Sequence, residues 1–133
     1  MDSELVLMVE EALAFGPRAC GSARHLVGAT LEHTSLQQMG NVAELLVSEL
    51  VSNVVRHASG PMRLRLLGSP PRALRVEVDD CSEKAPVVLP LSPDAFSGRG
   101  MALVDSLASD WGVVRHAGHG KTVWFELGTG APD

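Results

Sequence analysis

Hydrophobic residues recur with two different periods along this chain, and the change of period marks its elements. Across residues 44–58 the apolar positions recur every three to four residues, which predicts one amphipathic helix. The apolar side of this helix is made by Leu46, Val47, Leu50, Val51, Val54, Val55 and Ala58. Asn41 follows Gly40 just before the pattern and is predicted to be the helix N-cap. A second helical pattern covers residues 18–34.

Elsewhere the apolar residues alternate with polar ones, as in strands with one buried face. Residues 62–66 and 74–79 alternate in this way and flank a turn rich in Gly and Pro, which predicts a β-hairpin. A closing hairpin is predicted from residues 111–115 and 122–127. Residues 5–15 are predicted to begin as a strand.

Two further segments separate the predicted hairpins. Residues 81–97 contain three prolines and no sustained period, which predicts a long loop or lid. Residues 101–108 then return to helical spacing. The resulting order of elements predicts an α+β fold in which helices cover one face of a mixed or antiparallel sheet, as a two-layer sandwich. Residues 1–133 are predicted to form a single domain with its core at about 5–127.

Composition narrows the class of protein. Of the 133 residues 45% are hydrophobic and 20% are charged, as in soluble globular domains. The net charge of −5 argues against direct binding to nucleic acid, and the apolar runs are too short to span a membrane. The first residues are acidic, unlike a secretory signal. Cys20 and Cys81 show no metal-ligand or disulfide spacing, so a cytoplasmic location is expected.

The predicted central helix carries a polar stripe. Glu49, Asn53 and His57 are spaced four residues apart and border the apolar side. An amide oxygen suits Mg²⁺, and a carboxylate one turn away can orient water or accept a proton. The alternative is an ordinary amphipathic helix whose border carries Glu49 and Asn53, with His57 favoured by the dipole at its C-terminus.

Two other stretches are candidates for ligand contact. Asp80 ends a predicted strand, where its carboxylate can accept a hydrogen bond from a ring amine; the alternative is a turn-forming Asp. Gly98, Arg99 and Gly100 open a predicted helix, where backbone N–H groups can approach an anion. The alternative there is a flexible loop exit.

Taken in order, these segments resemble the GHKL (Bergerat-fold) ATP-binding domains. Among these domains they look most like the stand-alone bacterial anti-sigma-factor serine/threonine kinases. The strongest match is Glu49 to Ala58, E-L-V-S-N-V-V-R-H-A, which is similar to the family's N box. Residues 98–104 resemble the G2 box, and residues 120–125 resemble the final strand.

The resemblance implies a role for each matching residue. Asn53 would hold Mg²⁺, and Glu49 would be the general base or water-orienting carboxylate. Asp80 would read adenine, and Thr122 would join its network. The remaining positions implied to lie at the nucleotide are His57, Gly98, Arg99, Gly100 and Met101.

The implied function is an ATP- and Mg²⁺-dependent anti-sigma factor that phosphorylates an anti-anti-sigma (STAS-type) protein, with that protein or a sigma factor as partner. Relatives of this type are often dimers, so a homodimer is among the expectations. The G1 box departs from the family's D-x-G-x-G, because Ser82 and Lys84 replace both glycines. That loss motivates the alternative, a docking module without useful catalysis that sequesters a sigma factor or another regulator.

Overall fold

A computed structural model describes residues 4–57, 60–82 and 101–128. The elements in these ranges are β1 (Val6–Leu13), α1 (Ala19–Leu31), a 3₁₀ helix (Gln37–Met39), α2 (Gly40–His57), β2 (Met62–Ser69), β3 (Ala73–Asp80), α3 (Ala102–Leu107), β4 (Asp110–His116) and β5 (Gly120–Gly128). Apart from its first two residues, the predicted loop at 81–97 lies outside the described residues.

Within those ranges, the strands form one sheet in the order β1-β2-β3-β5-β4. Every neighbouring pair is antiparallel. Short turns join β2 to β3 and β4 to β5, and such turns connect only antiparallel neighbours. The predicted α+β class is therefore confirmed, with an antiparallel rather than a mixed sheet.

One face of the sheet is apolar and buried because the strands alternate apolar and polar residues. Leu64 and Leu66 of β2, Val76 of β3 and Phe125 of β5 are fully buried. These side chains belong to one core cluster with the buried residues of α1 and α2. A residue that continues this alternation beyond the apolar stretch of a strand also faces the helix layer. The candidate site includes such a residue.

The helices begin and end slightly differently from the predictions. Asn41 is not the N-cap, because the 3₁₀ helix leads directly into α2 and leaves Asn41 inside the first turn. The first helix ends at Leu31 rather than Thr34, since Glu32 leaves the helical conformation with a ψ of 133° and His33 follows with a positive φ of 66°. None of the helices in the described part of the chain is both long and apolar enough to cross a membrane.

The other face of the sheet carries a network of ion pairs. Arg65 of β2 bonds Glu77 at 2.8 Å and Asp79 at 2.5 Å. Arg75 of β3 bonds Glu77 at 2.7 Å and Glu126 of β5 at 2.8 Å. These contacts link three adjacent strands on the side away from the helices.

Candidate functional site

The polar stripe of α2 lies at the edge of the buried layer, as its spacing predicts. Glu49 and Asn53 are half-buried, and His57 is exposed at the last residue of the helix. The neighbouring positions Leu50 and Val54 are buried in the core, which fixes the rotation of the helix. Since α2 also packs against β3, the stripe belongs to the layer that the end of β3 faces.

Glu49 also lies close to the start of α1. The Cys20 thiol contacts the Ser48 carbonyl oxygen at 3.7 Å, so the two helices meet one residue before Glu49. Burial raises the pKa of the Cys20 thiol; the charge of Arg24 opposes this rise, and the charge of the Glu49 carboxylate adds to it. The carboxylate is therefore within electrostatic reach of α1, a neighbour that the sequence pattern does not indicate.

Asp80 is a buried carboxylate at the end of β3. The alternation Leu74, Val76, Val78 places Asp80 on the core face, and only 4% of the residue is exposed. The Ser82 backbone N–H donates a hydrogen bond to Asp80 Oδ1 at 2.7 Å. Asp80 is thus the last residue of a strand, as the sequence predicts.

Lys121 is the residue that the sequence reasoning missed. It lies directly opposite Asp80 in the β3–β5 register. Its Nζ donates to Asp80 Oδ2 at 2.8 Å, to Oδ1 at 3.1 Å and to the Ser82 carbonyl oxygen at 3.4 Å. The two side chains are 6% and 1% exposed, so the pair is almost wholly buried. The signal was present in the strand alternation, which places Lys121 on the same face as Val123 and Phe125.

Thr122 is not brought to Asp80. Neighbouring residues of a strand point to opposite faces, so Lys121 lies on the core face of the sheet and Thr122 on its outer face. Its hydroxyl donates to Asp79 Oδ1 at 2.6 Å and lies 2.8 Å from His116 Nε2. With these residues it lines a depression of about 380 Å³ on the outer face. The predicted network of Asp80 with Thr122 is therefore replaced by one of Asp80 with Lys121.

The other predicted contacts divide into two groups. Met101 is fully buried and belongs to the core immediately before α3. Gly98, Arg99 and Gly100 lie outside the described residues, and their predicted role at the phosphates stays a prediction.

Comparison with known families identifies the kind of domain. The model for the histidine kinase-like ATPase domain matches residues 13–127. The chain belongs to this family. The predicted recognition as a GHKL-type ATP-binding domain is thereby confirmed. Among solved structures, the NMR structure of the histidine kinase domain of the E. coli osmosensor EnvZ is similar at 15% identity, with a TM-score of 0.47, over 99% of this chain and 95% of that chain. No curated protein matches the chain.

Domains of the histidine kinase-like ATPase family bind ATP, generally with Mg²⁺. The candidate site has two ends, the stripe of Glu49 and Asn53 on α2 and the buried Asp80 at the end of β3, and they suit this ligand differently. The oxygens of Glu49 and Asn53 are the hard donors that Mg²⁺ prefers. Among the described residues no group of three or more His, Cys, Asp or Glu side chains could hold a metal. In nucleotide sites Mg²⁺ generally takes its further ligands from phosphate oxygens and water. At the other end, the Lys121 ammonium already donates to both carboxylate oxygens of Asp80, and the predicted role of Asp80 at adenine stays a prediction.

Proposed function

We propose that this domain is an ATP-binding anti-sigma factor with serine/threonine kinase activity, and that its substrate is an anti-anti-sigma partner of the STAS type. Membership of the histidine kinase-like ATPase family supports the nucleotide part of the proposal. The observation that carries the catalytic part is the pairing of Glu49 with Asn53, half-buried and one turn apart on α2.

Each of these two side chains has a separate task in phosphoryl transfer. When bound, Mg-ATP supplies the phosphoryl group and part of the charge neutralisation that its transfer needs. Asn53 offers a neutral oxygen to the metal. Glu49 would accept the proton of the partner's serine hydroxyl, and its half-buried position leaves part of the side chain accessible to an approaching protein. The partner's serine must therefore approach the polar side of α2.

The test is phosphoryl transfer from labelled ATP to a purified STAS-type anti-anti-sigma protein. We expect Glu49→Gln to lower the rate by about 10²- to 10⁴-fold, the usual contribution of a general base. Asn53→Ala should remove the dependence of ATP binding on Mg²⁺ in calorimetry. Ser52→Ala, on the same helix and also half-buried, is the matched control and should keep the parent rate. A Glu49→Gln protein as fast as the parent would refute the catalytic assignment.

A second candidate function is a docking module that sequesters a sigma factor or another regulator without catalysis. The buried pair of Asp80 and Lys121 favours it, because the carboxylate assigned to adenine already has a cation as its partner. The same calorimetry separates the two functions. No heat of binding for the parent protein at millimolar ATP would favour docking over catalysis.

A further inference from the structure

We infer that Lys121 closes the adenine end of the nucleotide pocket, so that its ammonium takes the place of the ligand's ring amine and must leave Asp80 before a nucleotide binds. This inference rests on the proposed function in one respect: Asp80 is taken as the carboxylate that receives the adenine amine. It adds a residue, Lys121, that neither the motif pattern nor the family match assigns to the site.

The hydrogen bonds at Asp80 engage both of its carboxylate oxygens while Lys121 stays. Oδ1 accepts from the Ser82 backbone N–H and from the ammonium, and Oδ2 accepts from the ammonium at 2.8 Å. The three donors of Lys121 are matched by three oxygens, the third being the Ser82 carbonyl. Because an adenine amine and an ammonium are both donors, they compete for the same carboxylate.

Because Asp80 is buried, a ligand donor can only replace the Lys121 ammonium directly. The Lys121 side chain is 6% exposed and that of Asp80 is 1% exposed, so the two fill the end of β3 without an intervening gap. A buried carboxylate that loses its cation is strongly disfavoured. A ligand that enters must therefore offer its own donor to Asp80, while the flexible stem of Lys121 carries the ammonium back to water.

The backbone keeps Lys121 next to Asp80. Gly120 precedes Lys121 at a φ of +96°, and an added Cβ there would come within 2.8 Å of Cys81 Cα. The start of β5 thus lies in close backbone contact with the end of β3. Since the β3–β5 ladder pairs Asp80 with Lys121 directly, the flexible lysine side chain is the part that relieves the competition.

The experiment compares ATP binding by the parent and by Lys121→Thr, using calorimetry with Mg²⁺. Threonine cannot reach as far as lysine and carries no charge, so Asp80 becomes available to a ligand. We expect ATP to bind about tenfold more tightly or better, the usual effect of a hydrogen bond to a charged group. GTP should gain nothing, because guanine presents a carbonyl oxygen where adenine presents an amine.

Arg115→Thr is the matched control. Arg115 lies opposite Lys121 in the β4–β5 register, and it is exposed. Its replacement removes the same charge beside the same strand position without touching Asp80, and it should leave the affinity for ATP unchanged. An equal gain in Arg115→Thr would overturn the inference in favour of a general charge effect.

A second pair of variants protects the test against a folding defect in Lys121→Thr. Lys121→Met keeps the length of the side chain and should also gain affinity for ATP. The double variant Asp80→Asn with Lys121→Met removes both buried charges and should fold but show no such gain. Equal ATP affinity in the parent and in both folded single variants would overturn the inference.

The outcomes also separate this inference from the proposed kinase function. A gain in ATP affinity without phosphoryl transfer to the partner would uphold closure by Lys121 and refute the kinase. Tight, Mg²⁺-dependent binding by the parent with no gain in Lys121→Thr would refute closure and leave the kinase standing.

Discussion

Gly120 shows how much can depend on a missing side chain. Its φ of +96° is strained for any other residue, and an added Cβ would overlap the Asp80 carbonyl oxygen. We expect Gly120→Ala to lower the free energy of unfolding by about 3 kcal/mol or more, because strain and a backbone clash act together. Denaturant unfolding followed by circular dichroism measures this change.

The control for this substitution is Gly118→Ala. Gly118 has a similar φ of +77°, but a Cβ there meets nothing within 4 Å. This variant therefore introduces the backbone strain without the clash. It should lower the free energy of unfolding by only about 1 kcal/mol. Equal losses in the two variants would show that the close approach to Asp80 does not matter.

At the residue scale, the sequence predicted the type of site better than its members. Asp80 and the stripe of Glu49 and Asn53 follow from periodicity, because one-dimensional spacing fixes which face a residue occupies. The choice between Thr122 and Lys121 depends on how β5 pairs with β3, and that pairing joins residues far apart in the chain. Motif matching favoured the threonine, whereas register placed the lysine beside Asp80.

At the scale of elements, α2 is the structural centre of the helix layer. Leu50 is 2% exposed in the core, whereas Leu45 on the same helix is 40% exposed. We expect Leu50→Ala to cost about 2–5 kcal/mol of stability through the cavity that it leaves. Leu45→Ala should change stability by no more than about 0.5 kcal/mol. Thermal unfolding of both variants tests this difference, and similar losses would contradict the assigned helix rotation.

Both hairpins and the central helix were predictable because each has a strong period over many residues. The ends of the elements were less predictable. Asn41 has the chemistry of an N-cap, but the preceding 3₁₀ helix supplies a helical entry that makes a cap unnecessary. The hydrophobic pattern of the first helix continued to Thr34, whereas the helix ends at Leu31 because Glu32 turns out of it with a ψ of 133°. Local backbone geometry of this kind leaves little trace in hydrophobic spacing.

At the scale of the whole molecule, the ion pairs of the outer sheet face predict how stability depends on pH. Burial alone would raise the pKa of Asp79, but hydrogen bonds from Arg65 and Thr122 hold it below its ordinary value of 3.8. Burial is likewise outweighed at Glu77, where Arg65 and Arg75 hold the pKa below 4.5. A carboxyl with a lowered pKa stabilises the folded state above its unfolded pKa and loses that effect as pH falls through the folded pKa.

The free energy of unfolding should therefore be flat from neutral pH to about pH 5 and fall progressively below about pH 4. Arg65→Gln should lower stability at pH 7 by about 1–3 kcal/mol and make the acid dependence shallower. Arg63→Gln is the control, since its ion pair with Glu10 spans 3.6 Å and its side chain is 49% exposed. Urea unfolding at a series of pH values measures all three proteins. An unchanged acid slope in Arg65→Gln would contradict the prediction.

The pairing of Lys121 with Asp80 has a genetic consequence. Lysine codons AAA and AAG become threonine codons ACA and ACG through a change at the second base alone. A single base substitution would thus exchange the buried ammonium at position 121 for a short hydroxyl, with every other residue of the domain retained. If Lys121 closes the pocket as inferred above, a single mutation separates a domain that binds ATP weakly from one that binds it about tenfold more tightly.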